Sequence, residues 1–518
     1  LGGSVLILCL LLILGLPAPL LGQASQWSPP LRLSSQDRTG WFADIAVDVT
    51  GQVHAVWSSS DDQFDLVMYD ATRDGQNWPG ANDIFAFEQI NGGSYVSRPT
   101  LTIDAQGIMH LGVHGQGDRQ YYARAPFDSA KDPAAWRSTQ IDGMGYHTIP
   151  VEDSNGTLHL VYTQRVETAI GESALHPLYK QSIDDGSTWS DPIDISFGFA
   201  MGAAKPQVLL DQQGTLYVVW EAGGDGDRGY VFDPSSVMFS ASYDNGTTWT
   251  APYRLDSGAE GTALAQARNV VIGSDNAGTL IATWWSMPDN RVYYRTSADK
   301  GLSWSPVQLI PGVLGTGASS LTRQDDYAMA TDSAGDVHLV VVGRQLPEQT
   351  RASVMHLVWD GSTWLRPEVL ATYQNDLAEW PRIAVGLGNH LHVVWHVRPG
   401  YLDPTSTGED FQVWYTDRII DSPAIAPEAL PAHTLVPPQT APATANPPSA
   451  PLAVEPLAIH LDASQKRQPG ILDSWQSLQG ENDDVLVLII STVPVVGLIV
   501  AGLLIARSRR RKLDAKTK

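Results

Sequence analysis

Between residues 40 and 420 the chain alternates short apolar runs with polar turns, in a unit that recurs seven times. Each unit opens with an apolar run, passes through Asp-x-x-Gly, and continues into a second apolar run that often ends in an aromatic residue. The copies read IAVDVTGQVHAVW, LTIDAQGIMHLGV, PVEDSNGTLHLVY, VLLDQQGTLYVVW, VIGSDNAGTLIATW and AMATDSAGDVHLVV; the seventh, IAVGLGNHLHVVW, has lost the Asp. Two β-rich runs joined by a turn whose Gly supplies a positive φ predict a hairpin. Successive turn aspartates (Asp48, Asp104, Asp153, Asp211, Asp275 and Asp332) are 49 to 64 residues apart. That period suits a four-stranded propeller blade and is too long for a solenoid coil.

The second half of the unit adds SIDDGSTW (182–189), SYDNGTTW (242–249) and SADKGLSW (297–304), with degenerate copies at Asp74–Trp78 and Asp360–Trp364. In each, the carboxylate can accept backbone N–H groups of a tight turn, Gly permits the turn, and Trp packs beneath it. These motifs resemble the Asp-boxes, or BNR repeats, of the sialidase (neuraminidase) superfamily of β-propellers. The resemblance implies a structural role for Asp184, Gly186, Trp189, Asp244, Gly246, Trp249, Asp299, Gly301 and Trp304, away from any active site. The short runs DPIDIS, APYRLD and SPVQLI that follow read as outer strands. Residues 28–34, SPPLRLS, look the same but precede the first unit, while the last unit ends at 420 without such a strand. The N-terminal segment is therefore expected to complete the last blade. The fold class is all-β, a closed seven-bladed propeller; the six-bladed ring usual among sialidases is the alternative.

The ends of the chain differ from this head. Residues 5–21 form an apolar run followed by Gly22-Gln23-Ala24, the pattern of a signal peptide over 1–24. The propeller head is expected over 25–421. A stalk over 422–484 follows, with ten prolines between Pro423 and Pro456, a composition that favours extended polyproline II. Residues 485–506 are uncharged and apolar, roughly 33 Å as a helix, and the tail 507–518 is basic. The positive-inside rule places that tail in the cytoplasm and the head outside, so a single-pass cell-membrane protein is expected.

Acidic residues outnumber basic ones 56 to 33, and without the last twelve residues 55 to 26. Such a surface repels phosphate backbones, so nucleic acid is not an expected partner. The single cysteine, Cys9, excludes disulfide scaffolds and cysteine-ligated metal centres. His54, His110, His159 and His338 recur at one strand position in different blades, which signals repeat packing; no metal site and no cofactor are expected. Trp57, Trp220, Trp284 and Trp395 recur in the same way as packing residues.

By the resemblance, function sits where the innermost strands begin, around the axis. Six residues before each turn Asp stand Phe42, Arg98, His147, Lys205, Asn269 and Asp326, with Trp380 in the seventh unit. Asp44, Tyr146, Arg268, Asp325, Tyr327, Glu379 and Arg382 lie beside them, and Glu221, Trp285 and His396 end second strands nearby. Apolar strands opening on charged and aromatic residues predict a polar, aromatic-lined sugar site. Sialidases clamp a carboxylate with three arginines and use a Tyr–Glu nucleophile pair with an Asp acid/base. Arg98, Arg268 and Arg382 can supply the clamp, Tyr327 with Glu379 the pair, and Asp44 or Asp326 the acid, with Lys205, His147, Trp380 and Glu221 as further ligand contacts. The family's Arg-Ile-Pro motif is reduced here to Arg98-Pro99, in the second unit. The leading expectation is a head that recognises an extracellular glycan or surface ligand. A sialidase-type hydrolase and a non-catalytic scaffold for surface proteins are the alternatives.

Overall fold

A computed structural model describes residues 26–61, 63–89, 98–115, 119–145, 147–167, 173–197, 202–223, 236–257, 266–316, 326–400 and 410–430. The signal-like segment, the apolar stretch 485–506 and the basic tail lie outside these residues. Among the described residues no helix is long and apolar enough to cross a membrane. The chain divides into two units, one of residues 1–87 with 97–435 and one of 88–96 with 436–518; only the first is described here, together with Glu88 and Gln89.

Seven four-stranded antiparallel sheets are present among the described residues. Their inner strands are Trp41–Val47, Thr100–Ile103, Thr148–Glu152, Ala203–Leu210, Ala267–Ser274, Ala328–Thr331 and Leu377–Gly386, which define blades 1 to 7. Second strands are sandwiched between neighbouring blades. Every residue of Leu216–Ala222, Leu280–Ser286 and Val337–Gly343 is buried. That is why these strands read as continuous apolar runs and do not alternate. Between blades 5 and 6, for example, Val271 and Ile281 share one apolar cluster with Leu339, Val341 and Met355.

The Asp-boxes are turns, as their sequence implies, and they also join blades. In the box of blade 4, Asp244 Oδ1 accepts from the Ser242 hydroxyl and Thr248 N, Oδ2 accepts from the Thr248 hydroxyl, and Gly246 N donates to Ser242 Oγ. The boxes at Asp184 and Asp299 repeat these bonds. Each box Trp then sets its ring against an aromatic of the preceding blade: Trp189 on Tyr122, Trp249 on Tyr179 and Trp304 on Phe239, with centroids 5.0–5.2 Å apart.

Those same tyrosines anchor the recurrent histidines. His110 Nδ1 meets Tyr122 Oη at 2.8 Å and His159 Nδ1 meets Tyr179 Oη at 2.7 Å; His54 with Tyr69 and His392 with Tyr415 repeat the pair. In blades 1 and 6 the other ring nitrogen reaches the turn Asp, His54 to Asp48 and His338 to Asp332, both at 3.3 Å. In those two blades the histidine thus ties its turn to the third strand, through Tyr69 in blade 1 and His356 in blade 6.

The ring closes by the N-terminal segment. The seventh sheet has the order Leu31–Arg32, Gln412–Ile419, His390–Arg398, Leu377–Gly386. Ser28 N donates to Asp417 O at 2.9 Å and Leu33 N to Val413 O at 2.8 Å. Seven blades therefore replace the six-bladed alternative. A chain that begins at Gln36 bares the Gln412–Ile419 edge. It is expected to be less stable than one beginning at Gln26 by on the order of 2 kcal/mol, the net of a few hydrogen bonds against the ordering of one short strand. Urea unfolding of the two proteins measures the difference, and equal midpoints would refute the closure.

A second device crosses the same seam. Ser422 Oγ donates to Asp332, Ile425 N donates to Leu387 O and Glu428 N to Val49 O, both at 2.8 Å, and Leu430 packs on the Gly107 turn. Residues 422–430 thus form a strap over the Asp-x-x-Gly ends of blades 6, 7, 1 and 2. The start of the expected stalk belongs to the head.

Candidate functional site

The inner strands run from one face of the ring, where the candidate residues stand, to the Asp-x-x-Gly face. In four of the seven, the ladder to the second strand slips near its start: between Trp41 and Asp44, Ala204 and Gln207, Arg268 and Val271, and Glu379 and Arg382. The slipped residues Phe42, Lys205, Asn269 and Trp380 have φ of 50°, 46°, 54° and 57°. Left-handed backbone at a non-Gly residue costs on the order of 1–3 kcal/mol and persists only where its surroundings fix it. Here they do. Phe42 N donates to His396 Nδ1 at 3.1 Å and Asn269 N to Glu221 Oε1 at 2.7 Å. Both acceptors end the preceding blade's second strand. Bulges of this kind re-aim side chains, and these four occupy the positions that head the inner strands.

The re-aimed residues build a polar cluster. Arg382 Nη2 donates to Asp326 Oδ2 at 2.8 Å, and Gln207 Nε2 reaches the same oxygen at 3.0 Å. Blades 7, 4 and 6 meet at that carboxylate. The Arg382 guanidinium lies over the Trp380 ring at 4.3 Å, and Arg98 lies over Phe42 at 4.8 Å. Lys205 Nζ donates to Asn269 Oδ1 at 3.1 Å and stands 3.4 Å from Glu221. Asp44 accepts from Leu101 N at 2.8 Å; burial pushes its carboxyl above the ordinary range although the Arg382 charge opposes this. His147 is held well below the ordinary imidazole range, by burial first and then by the charges of Arg98, His114, Lys205 and Arg382. The imidazole is neutral, and the carboxylates of Asp326 and Glu221 sit against Arg382 and Lys205 in the same cluster.

The sequence candidates fall into different surroundings. Two of the three expected clamp arginines, Arg98 and Arg382, lie near enough to His147 to act on its charge, as does Lys205. Arg268 heads the inner strand of blade 5, buried and opposite Trp285 in the ladder. The Tyr327 ring is fully buried in the apolar cluster of Trp285, Val341 and Met355, between blades 5 and 6. Glu379 accepts from Arg398 Nη2 at 2.8 Å and has His396 Nε2 at 3.6 Å. Of the pair expected from Tyr327 and Glu379, the ring thus lies in core packing and the carboxylate is ion-paired with Arg398. Trp285, a candidate for the mouth, is likewise core, with its indole N–H on Asn290. Sequence reasoning missed Gln207 and Arg398. A polar residue two positions after three of the four bulges (Asp44, Gln207, Arg382) is the signal that marks the first. Tyr146 and Asp325 lie outside the described residues.

Residues 144–393 match the family described as the BNR repeat-like domain. No curated protein matches the sequence. Among solved structures, an ulvan lyase described as a new family of polysaccharide lyase is 12% identical, covering 73% of this chain and 95% of its own, with a TM-score of 0.46. The intramolecular trans-sialidase from Ruminococcus gnavus is 13% identical, with 79% and 96% covered and a TM-score of 0.40. The Trypanosoma rangeli sialidase is 11% identical, with 77% and 59% covered and a TM-score of 0.38.

Proposed function

We propose that this chain, a sialidase-like BNR-repeat β-propeller, is the head of a membrane-tethered extracellular receptor for acidic glycans. The observation that carries the reading is the gathering of Arg98, Lys205 and Arg382 near His147, side chains whose donors can hydrogen-bond a carboxylate. Trp380 and Phe42 add aromatic faces beside two of the cations. The tether rests on the signal-like run at 5–21 and the apolar run at 485–506 with its basic flank. Large exposed apolar side chains such as Ile183, Leu302, Leu346 and Ile419 are spread over blades 3, 5, 6 and 7, which disfavours a scaffold with one apolar docking patch.

Glycan-array binding by the purified protein tests the reading. Carboxylate-bearing glycans should bind, and replacing Arg98 or Lys205 with Ala should weaken binding by about 1.5–3 kcal/mol, the range for hydrogen bonds to charged groups. Because the head is acidic overall, affinity depends on short-range contacts, and moderate salt should change it little. Binding that survives both replacements sinks the proposal. A hydrolase reading draws on Asp44, whose raised carboxyl has the property a general acid needs. A fluorogenic sialoside assay distinguishes it: turnover lost in Asp44→Asn would establish catalysis.

A further inference from the structure

We infer that Asp104, His110 and Glu152 form a binding site for a divalent transition metal, of the zinc type, that joins blade 2 to blade 3. The three side chains offer one imidazole nitrogen and two carboxylate oxygens, all within 4.8 Å of one another. His110 Nε2 lies 3.0 Å from Glu152 Oε2 and 3.5 Å from Asp104 Oδ2. Zinc bonded to such atoms at about 2.0–2.2 Å in tetrahedral geometry holds them roughly 3.3 Å apart, and the two spacings bracket that value.

In other blades His54 and His338 occupy the same strand position and hydrogen-bond their own turn Asp. His110, only 2% exposed, has Nε2 buried without a hydrogen-bond partner although two carboxylates face it. His159 Nε2 is likewise buried and unpartnered 3.7 Å from its own turn Asp, and what His110 adds is a second carboxylate. Two carboxylates facing one imidazole nitrogen draw a cation into the space between them. The other nitrogen of His110 is fixed on Tyr122 Oη at 2.8 Å; if Nδ1 is the donor there, Nε2 is left bare, the outer-shell arrangement common to metal-bound imidazoles. Asp104 is also pre-set, since Oδ1 accepts from Gln106 N and Ile108 N and leaves Oδ2 toward His110.

Glu152 is what the repeat does not explain. It stands immediately before the turn Asp of blade 3, where blades 1, 2, 4, 5 and 6 have Val47, Ile103, Leu210, Ser274 and Thr331. Packing therefore requires no charge at this position. The carboxylates of Asp104 and Glu152 are 8% and 15% exposed, which leaves a path for the ion and room for a water as fourth ligand. An imidazole with two carboxylates suits zinc and its first-row neighbours; calcium takes oxygen ligands in larger number.

The test uses the full chain, stripped with a chelator, dialysed and titrated with zinc chloride. Metal content is read by mass spectrometry, stability by thermal unfolding, and ligation by the visible bands of the cobalt(II) form. Wild type should retain one zinc per chain, gain several degrees of melting temperature, and show tetrahedral cobalt bands; calcium at the same concentration should do none of this. Glu152→Leu, which copies blade 4, should fold and lose all three responses, and Glu152→Gln should bind zinc at least tenfold more weakly. Equal zinc content and equal melting shift in wild type and Glu152→Leu would overturn the site, as would the absence of any zinc response in wild type.

Discussion

Acidification from about pH 7 to about pH 5 is expected to destabilise the head by about 4 kcal/mol through two buried histidines alone. Burial is the main cause in both. It holds His356 down to about 4 and, with the neighbouring His390, His392 down to about 3. The free imidazole titrates at about 6.5. A base whose pKa falls on folding contributes stability that is present above the unfolded value and lost as pH falls toward the folded one. Each histidine should thus cost nearly 2 kcal/mol by pH 5. His147 and His396, also lowered by burial, act in the same direction. The contacts supply the structural reason. His338 can accept at Nδ1 from His356 Nε2, at 2.8 Å, only while its other nitrogen donates to Asp332 and both rings share one donor and one acceptor. A charged imidazole has only donors and no acceptor to offer in such a pair. Urea unfolding at the two pH values measures the effect, and a change below about 1 kcal/mol would refute it. His392→Phe should flatten the pH dependence by one proton's worth.

Gly246→Ala should cost about 2–5 kcal/mol. The position has φ of +82°, and an added Cβ would fall 1.8 Å from Tyr179 Oη. Tyr179 has nowhere to go, since His159 holds its hydroxyl at 2.7 Å and Trp249 packs on its ring. Left-handed strain supplies about 1–2 kcal/mol of the loss and overpacking about 1–3. Gly278→Ala isolates the first contribution, because that glycine has φ of +80° and no atom within 4 Å of its would-be Cβ. Thermal or chemical denaturation of the two variants should therefore rank Gly246→Ala well below Gly278→Ala. Equal losses would mean that the contact between blades does not matter.

The glycines show how unevenly the molecule can be read from its sequence. A turn needs Gly for its φ, so the Asp-boxes, the hairpins and the count of seven blades are visible in the spacing of small residues between apolar runs. That Gly246 must also make room for Tyr179 is not visible, because it depends on which aromatic the preceding blade presents. The site was legible to a similar degree. Phe42, Lys205 and Trp380 were marked by their register before the turn Asp, but nothing in a non-Gly residue announces the left-handed backbone that re-aims them. Arg268 and Tyr327 share that register region and yet are placed by different surroundings, Tyr327 in apolar packing between blades. Glu379 carries a carboxylate that fits a nucleophile pair; its capture by Arg398 depends on a strand partner 19 residues away. Ligand geometry of this kind depends on distances between blades, which repeat periodicity does not encode.

The strap of residues 422–430 also has a mechanical meaning. A pull on the chain beyond residue 430 would act first on contacts spread across the Asp-x-x-Gly ends of blades 6, 7, 1 and 2, and only afterwards on the Gln412–Ile419 strand at the closing sheet. Tension would peel one contact at a time and leave the hydrogen-bonded seam for last. The strap lies on the face opposite the inner-strand starts, so such a load enters the ring on the side away from Arg98, Lys205 and Arg382.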